Sequence, residues 1–344
     1  MPVPGIAAVV TIAIMLHPTS ITWSRSRASM RVLVTGAAGY IGGQTLLHLS
    51  DLGHEVVGCD RNEPGRAIQD AAQEFFIGDF TLFHARNLIR DTQFDALVHC
   101  AGTSLVGPSM QQPEQYYNNN FVKTKILLDW VLEHSPRTRV IFSSSASVYG
   151  TPIMTPCQEV DPIMPISPYG ESKAMIEWML ASYARAYGLD SVSFRYFNAC
   201  GADPQSRHGQ APGATHLIAR ALESLRDHTA FTIYGDQYPT ADGTCVRDYV
   251  HVDDIAQAHA LAVHASVSPG VYNLGTGRGH SVRQIVDAVH RVTKQNLDVI
   301  VGAERPGDPP ELTASADRFT RECQWQPRYG LDHMIQHAWS WYTR

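Results

Sequence analysis

The sequence predicts an α/β protein: a doubly wound parallel sheet with a smaller, loop-rich C-terminal lobe. Three observations carry this. Short apolar runs alternate with segments of helical period from Arg31 to about Arg195. The first run is followed by a glycine-spaced turn, Gly36-Ala-Ala-Gly39-Tyr-Ile-Gly42, that opens a helix. Beyond Arg195 the pattern changes, and Gly, Pro and Asp become frequent over 201–213 and again over 235–243.

In order, Arg31–Thr35 reads as the first strand and Gly39–Leu52 as its helix. Glu55–Cys59 is the second strand, closed by Asp60. Phe75–Ile77 and Ala96–His99 are the next strands, with a polar helical stretch between them. Asn118–Glu133 is helical in period, Arg139–Ser143 is a strand, and Ser191–Arg195 is the last strand before the change. Asp253 or Asp254 is expected to cap a helix over Ile255–Ala265. These elements give a first domain over 31–195, to which segments near 245–265 return, and a ligand-binding lobe over 196–344. The apolar run Val9–Leu16 is shorter than the roughly 20 residues of a spanning helix and has no basic stretch before it. Because a strand begins directly after Met30, residues 1–29 are expected to be a non-native or disordered extension and Met30 the natural start.

A chain of 344 residues that is 44% apolar and 17% charged can bury a large core. Its net charge of −6 offers no basic face to nucleic acid. Six cysteines are scattered without a C-x-x-C pair, which fits a reducing, cytoplasmic setting. The sixteen histidines include no close ligand set, so no metal is assigned.

The glycine turn between strand and helix is the dinucleotide fingerprint of a Rossmann-type fold. Its glycines allow a tight turn and close backbone approach, and the helix N-terminus faces a pyrophosphate. Asp60 ends the next strand, where its carboxylate can accept from ribose hydroxyls and would repel a 2′-phosphate, which favours NAD; the adjacent Arg61 weakens that preference. Tyr169 and Lys173, at i and i+4, share one helix face. An ammonium beside a phenol favours the phenolate, making Tyr169 a candidate base for an alcohol or sugar hydroxyl. The serine cluster Ser143-Ser144-Ser145 stands upstream of it.

With these motifs stand Phe142-Ser-Ser-Ser-Ala-Ser-Val-Tyr-Gly150, Arg195-Tyr-Phe-Asn198, Tyr234-Gly-Asp-Gln-Tyr-Pro-Thr-Ala-Asp-Gly-Thr-Cys-Val-Arg-Asp-Tyr-Val-His-Val252 and Arg305-Pro-Gly-Asp308. In this order they resemble the extended short-chain dehydrogenases/reductases, and among them most closely the UDP-glucose (UDP-galactose) 4-epimerases, from Arg31 to about Tyr342. The resemblance implies C4 inversion of a UDP-hexose through a transient 4-keto sugar, with tightly bound NAD regenerated in each turnover. It implies that Gly36, Gly39, Tyr40, Ile41 and Gly42 cradle the pyrophosphate. Asp60 would hold the ribose and Asp79, beside Phe80, the adenine edge. Ala101, Gly102, Asn120 and Phe197 would line the rest of the cofactor site. Tyr169 would be the base, Lys173 would bind the nicotinamide ribose, and Ser145 would bond the reacting hydroxyl. Asn198, Tyr234, Arg247, Arg305 and Asp308 would hold the uridine diphosphate. A homodimer is implied, through a bundle that includes Asn118–Glu133 and Glu177–Tyr187.

Two positions depart from or vary within that family. Ser104 stands where many epimerases have lysine, and Leu312 occupies a position that controls room near the sugar. These leave 4-epimerisation of a UDP-N-acetylhexosamine, UDP-glucuronate or a UDP-pentose open. Nucleotide-sugar dehydratases and UDP-glucuronate decarboxylases need an extra acid/base group just after the serine strand, where this chain has Ala146 and Ser147. A non-catalytic NAD-binding regulator would be expected to lack Tyr169 or Lys173.

Overall fold

In the computed structural model, which describes residues 29–305 and 308–344, seven parallel strands form the central sheet. They include β1 (Arg31–Thr35), β2 (Glu55–Asp60), β3 (Glu74–Ile77), β4 (Ala96–His99), β5 (Arg139–Ser145) and β6 (Ser191–Tyr196). The seventh, Gly270–Leu274, pairs with β6, so the spatial order is Gly270–Leu274, β6, β5, β4, β1, β2, β3. Every pairing is parallel. Strands of such a sheet are covered on both faces, which is why β1, β4 and β5 are nearly uninterrupted buried runs. The order reverses between β1 and β4, and the crevice outside the carboxyl ends of these strands is where a doubly wound sheet receives ligands.

Helix α1 (Tyr40–Asp51) packs against the later helix Val252–Ala262, and their side chains join β1 and β6 in one core. That core also takes in Phe319 and Trp325 from near the C-terminus. The chain therefore returns to the sheet three times after residue 245: at Val252–Ala262, at Gly270–Leu274 and at 319–325. The second lobe is built on the strand Val246–His251, which pairs with Asn198–Cys200, Gly279–Ser281 and Glu311–Leu312. The helices Leu217–Arg226, Val282–Thr293 and Leu331–Tyr342 cover its separate core.

Two local expectations are corrected. The helix expected over Ile255–Ala265 runs Val252–Ala262 and is capped by His251, whose Nδ1 accepts from the Asp253 amide at 3.0 Å. Asp253 and Asp254 lie inside its first turn, and their carboxylates are taken by Arg328. The helix expected at Asn118–Glu133 opens as a wide π turn, Tyr117–Val122, and becomes α-helical only over Lys123–His134. The reading of residues 1–28 lies outside the described residues. Among the described residues no helix is long and apolar enough to cross a membrane.

Candidate active site

A cleft of about 610 Å³ runs between the sheet and the second lobe, and a smaller one of about 170 Å³ adjoins it over β2 and β3. Gly36, Gly39, Tyr40, Ile41 and Gly42 line the larger cleft. Gly36 has φ +73°, and a Cβ there would stand 2.6 Å from the Ala101 nitrogen, so the turn after β1 and the end of β4 need a glycine between them. No side chain caps α1 and its first turn holds no acid. The leading amides of that helix are therefore left for an anionic ligand, as a bound pyrophosphate requires.

A Cβ at Gly42 would lie 2.2 Å from the Gly36 carbonyl oxygen. Gly42→Ala must therefore displace the turn itself. We expect NAD retained through purification to fall at least about tenfold, equivalent to about 1.4 kcal/mol. The measurement is NAD released by acid, per mole of protein, and a full complement in the variant would contradict this account of the turn.

Asp60, Asp79, Phe80, Ala101 and Gly102 line the smaller cleft. Asp60 accepts from the Ala38 amide at 3.1 Å and the Asn62 amide at 2.9 Å, which fixes its carboxylate at the end of β2. Asp79 accepts from Thr81 and, at 2.6 Å, from Lys123. Burial alone would raise the Asp79 pKa, but these bonds outweigh it and the net shift is downward. Lys123 carries no sequence signal, because its helix meets the loop after β3 only in the folded chain. Asn120 stands behind the cleft wall rather than on it. It is buried, with Oδ1 accepting from the Thr103 amide and Nδ2 donating to the Thr103 carbonyl and Ser172, so it pins the loop after Gly102.

The reacting end lies where β5 meets the helix Pro168–Tyr187. That helix starts at a Ser167 cap with proline at its first position, which sets Tyr169 and Lys173 in its first two turns. The Lys173 ammonium donates to the Ser143 carbonyl at 2.8 Å, and burial pushes its pKa down to about 8. Ser145 ends β5, accepts from the Ser147 amide and bonds the Tyr169 phenol. The expected lowering of the phenol pKa by Lys173 is not found: burial raises it, and the Ser145 bond offsets only part. The lysine nitrogen lies 5.9 Å from the phenol ring centroid, with its bond directed at β5. Ser143 and Ser144 turn into the protein, to Cys100 and Tyr196 and to Glu177 respectively.

Phe197, buried at the end of β6, and Asn198 line the same cleft. At its far end stand Tyr234, Arg247, Arg305 and Asp308, which come from three separate segments of the second lobe. Arg247 and Asp308 are 3.1 Å apart, and the Arg305 guanidinium lies 4.1 Å from the Tyr234 ring centroid. Arg220, which no motif contains, faces the same ring. Asp308 is the one acid among the described residues that line the larger cleft, and it is not at the Ser145 end.

Comparison with known proteins gives the family. Residues 32–275 match the model of the NAD dependent epimerase/dehydratase family. The chain is 43% identical to the UDP-glucose 4-epimerase of Azospirillum brasilense, covering 92% of this chain and 93% of that one. It is 41% identical to the enzyme of that name from Halalkalibacterium halodurans, covering 91% and 96%. A crystal structure of the Brucella ovis UDP-glucose 4-epimerase in complex with NAD superposes with a TM-score of 0.85 at 38% identity, covering 91% of this chain and 98% of that one. With its glycine turn, its Tyr169-Lys173 pair and the doubly wound sheet that joins them, the chain belongs to the NAD dependent epimerase/dehydratase family.

Proposed function

We propose that the protein is an NAD-dependent UDP-glucose/UDP-galactose 4-epimerase. The observation that carries this is one cleft with a base pair, Tyr169 and Lys173, at one end and a tyrosine–arginine cluster at the other. The glycine turn, Asp60 and Asp79 fit NAD: uncapped helix amides suit the pyrophosphate, and the carboxylate at the end of β2 suits ribose hydroxyls. The chemistry that NAD supplies when bound is reversible hydride transfer at C4. The chain's own residues supply the rest. Ser145 bonds the 4-hydroxyl and Tyr169 removes its proton, directly or through Ser145, then returns it. Lys173 holds the ribose hydroxyls and keeps positive charge beside the phenol. Tyr234, Arg247 and Arg305 grip the uridine diphosphate, while the wall around the sugar leaves it room to turn over.

The Ala146-Ser147 turn favours this reading over dehydration or decarboxylation, since neither residue brings a carboxylate to the reacting end. Leu312 lines the cleft against Phe197 and Ala146, so the second reading is 4-epimerisation of another UDP-sugar by the same residues. The exposed Val122, Trp178 and Tyr187, on the two helical segments named for a bundle, support a homodimer. Six free cysteines support a cytoplasmic setting.

Incubating the purified protein with a panel of UDP-sugars, without added NAD, tests the proposal. Interconversion of UDP-glucose and UDP-galactose is the expected result, with the products resolved by chromatography. Turnover of only N-acetylated, uronic or pentose substrates would replace the first reading with the second, and formation of a 4-keto-6-deoxy product would overturn both.

A further inference from the structure

Arg220, Arg247 and Arg305 bring three guanidiniums to one end of the larger cleft. Arg247 is balanced by Asp308. Among the described residues neither Arg220 nor Arg305 is in an ion pair. Both converge instead on one phenol: the Arg305 guanidinium lies 4.1 Å and that of Arg220 6.0 Å from the Tyr234 ring centroid. Both approach the Tyr234 hydroxyl and hold its pKa below the ordinary value.

The helix Leu217–Arg226 does not need this cation. Its buried face is Ile218, Ala219, Ala221, Leu222 and Leu225, and a positive side chain near its N-terminus opposes the helix dipole. Arg226, at the other end, has Asp227 as a partner and sits where the dipole favours it. Two like charges held against one ring, without a counter-ion, repel each other until an anion enters between them.

We infer that Arg220 is a substrate-binding residue which, with Arg305, grips the diphosphate of the nucleotide sugar beside Tyr234. The assignment rests on the proposed function, because it takes a UDP-sugar as the ligand. A planar guanidinium fork matches two phosphate oxygens, whereas a neutral nucleoside offers it no charge. The contribution of Arg220 should therefore be large for UDP, smaller for UMP and absent for uridine.

Calorimetric titration of UDP, UMP and uridine into the NAD-bound protein tests this, with the wild type, Arg220→Gln and Arg220→Lys compared. Arg220→Gln is expected to weaken UDP about 10- to 100-fold, to weaken UMP less and to leave uridine within about twofold. Arg220→Lys keeps the point charge but loses the fork, and should fall between the two. The gap between wild type and Arg220→Gln should narrow as salt rises. With UDP-glucose as substrate, KM should carry more of the loss than kcat. UDP affinity within about twofold of wild type in Arg220→Gln would overturn this assignment alone. Equal loss of all three ligands, uridine included, would overturn it too, because the charge would not be what the ligand reads. If the wild type itself did not bind UDP, the assignment and the proposed function would fall together.

Discussion

Tyr169→Phe is expected to lower kcat for C4 inversion by about a hundred- to ten-thousand-fold, with UDP affinity within about twofold of wild type. The substitution removes one hydroxyl, keeps the ring that packs edge-on to Tyr116 at 6.3 Å, and leaves the tyrosine–arginine cluster untouched. Loss confined to kcat is the mark of a group needed in the transition state and not in binding. The pH profile gives a second reading. Burial holds the Tyr169 phenol above the ordinary tyrosine value, while its bond to Ser145 lowers it. The proton-accepting form is the phenolate, so the rate should rise with pH through the range in which the phenol ionises. Ser145→Ala removes the bond that favours ionisation, so its rise should lie at higher pH than that of the wild type. Rates measured over pH 7–11 for the three proteins check both points. Wild-type turnover in Tyr169→Phe would remove the tyrosine from the mechanism, and a rise at lower pH in Ser145→Ala would reverse the sign assigned to its bond.

Much of the fold is legible because a parallel sheet writes its strands as continuous apolar runs between helical segments. Thr35-Gly36 and the glycines after it could be read directly: a turn that admits no Cβ leaves few residue types able to fill it. The features that escaped the sequence depend on distance. Gly270–Leu274 is a five-residue strand inside a loop-rich stretch, and only its pairing with β6 marks it as the edge of the main sheet. His251 caps its helix because its ring turns back on the Asp253 amide, although the acids after it are the commoner caps. Lys123 and Arg220 lie on helices whose sequence gives no reason to prefer them over other cations; their partners come from the loop after β3 and from the second lobe. The Tyr169-Lys173 spacing placed both groups on one face correctly, but not the sign of the phenol's shift. Spacing fixes how near two groups lie, whereas burial, which here outweighs the Ser145 bond, is a property of the closed fold.

Glu177→Ala is expected to destabilise the protein by about 3–5 kcal/mol. Glu177 and Arg195 are each only 3% exposed at the side chain and form a forked pair, Nε to Oε1 at 3.1 Å and NH2 to Oε2 at 2.7 Å. Arg195 also donates to the Tyr149 hydroxyl at 2.8 Å, which in turn donates to Asn273 on the seventh strand. Removing the carboxylate leaves a buried guanidinium with no ion-pair partner among the described residues, and strands the Ser144 hydroxyl that donates to Glu177 at 2.5 Å. The charge itself, more than the lost contact, sets the cost. Hence Glu177→Leu combined with Arg195→Met should regain much of what Glu177→Ala loses, because an apolar pair of similar volume carries no desolvation penalty. Urea unfolding midpoints of the three proteins decide this; a double variant no more stable than Glu177→Ala would show that packing, not charge, holds the pair. The consequence reaches the active site along one helix. Glu177 lies one turn beyond Lys173, and its negative charge is among the influences that keep the lysine protonated against burial. Glu177→Ala should therefore push the Lys173 pKa below its present value of about 8 and weaken the positive charge next to Tyr169 at neutral pH. Activity per folded molecule should fall in Glu177→Ala even at temperatures where the variant remains native.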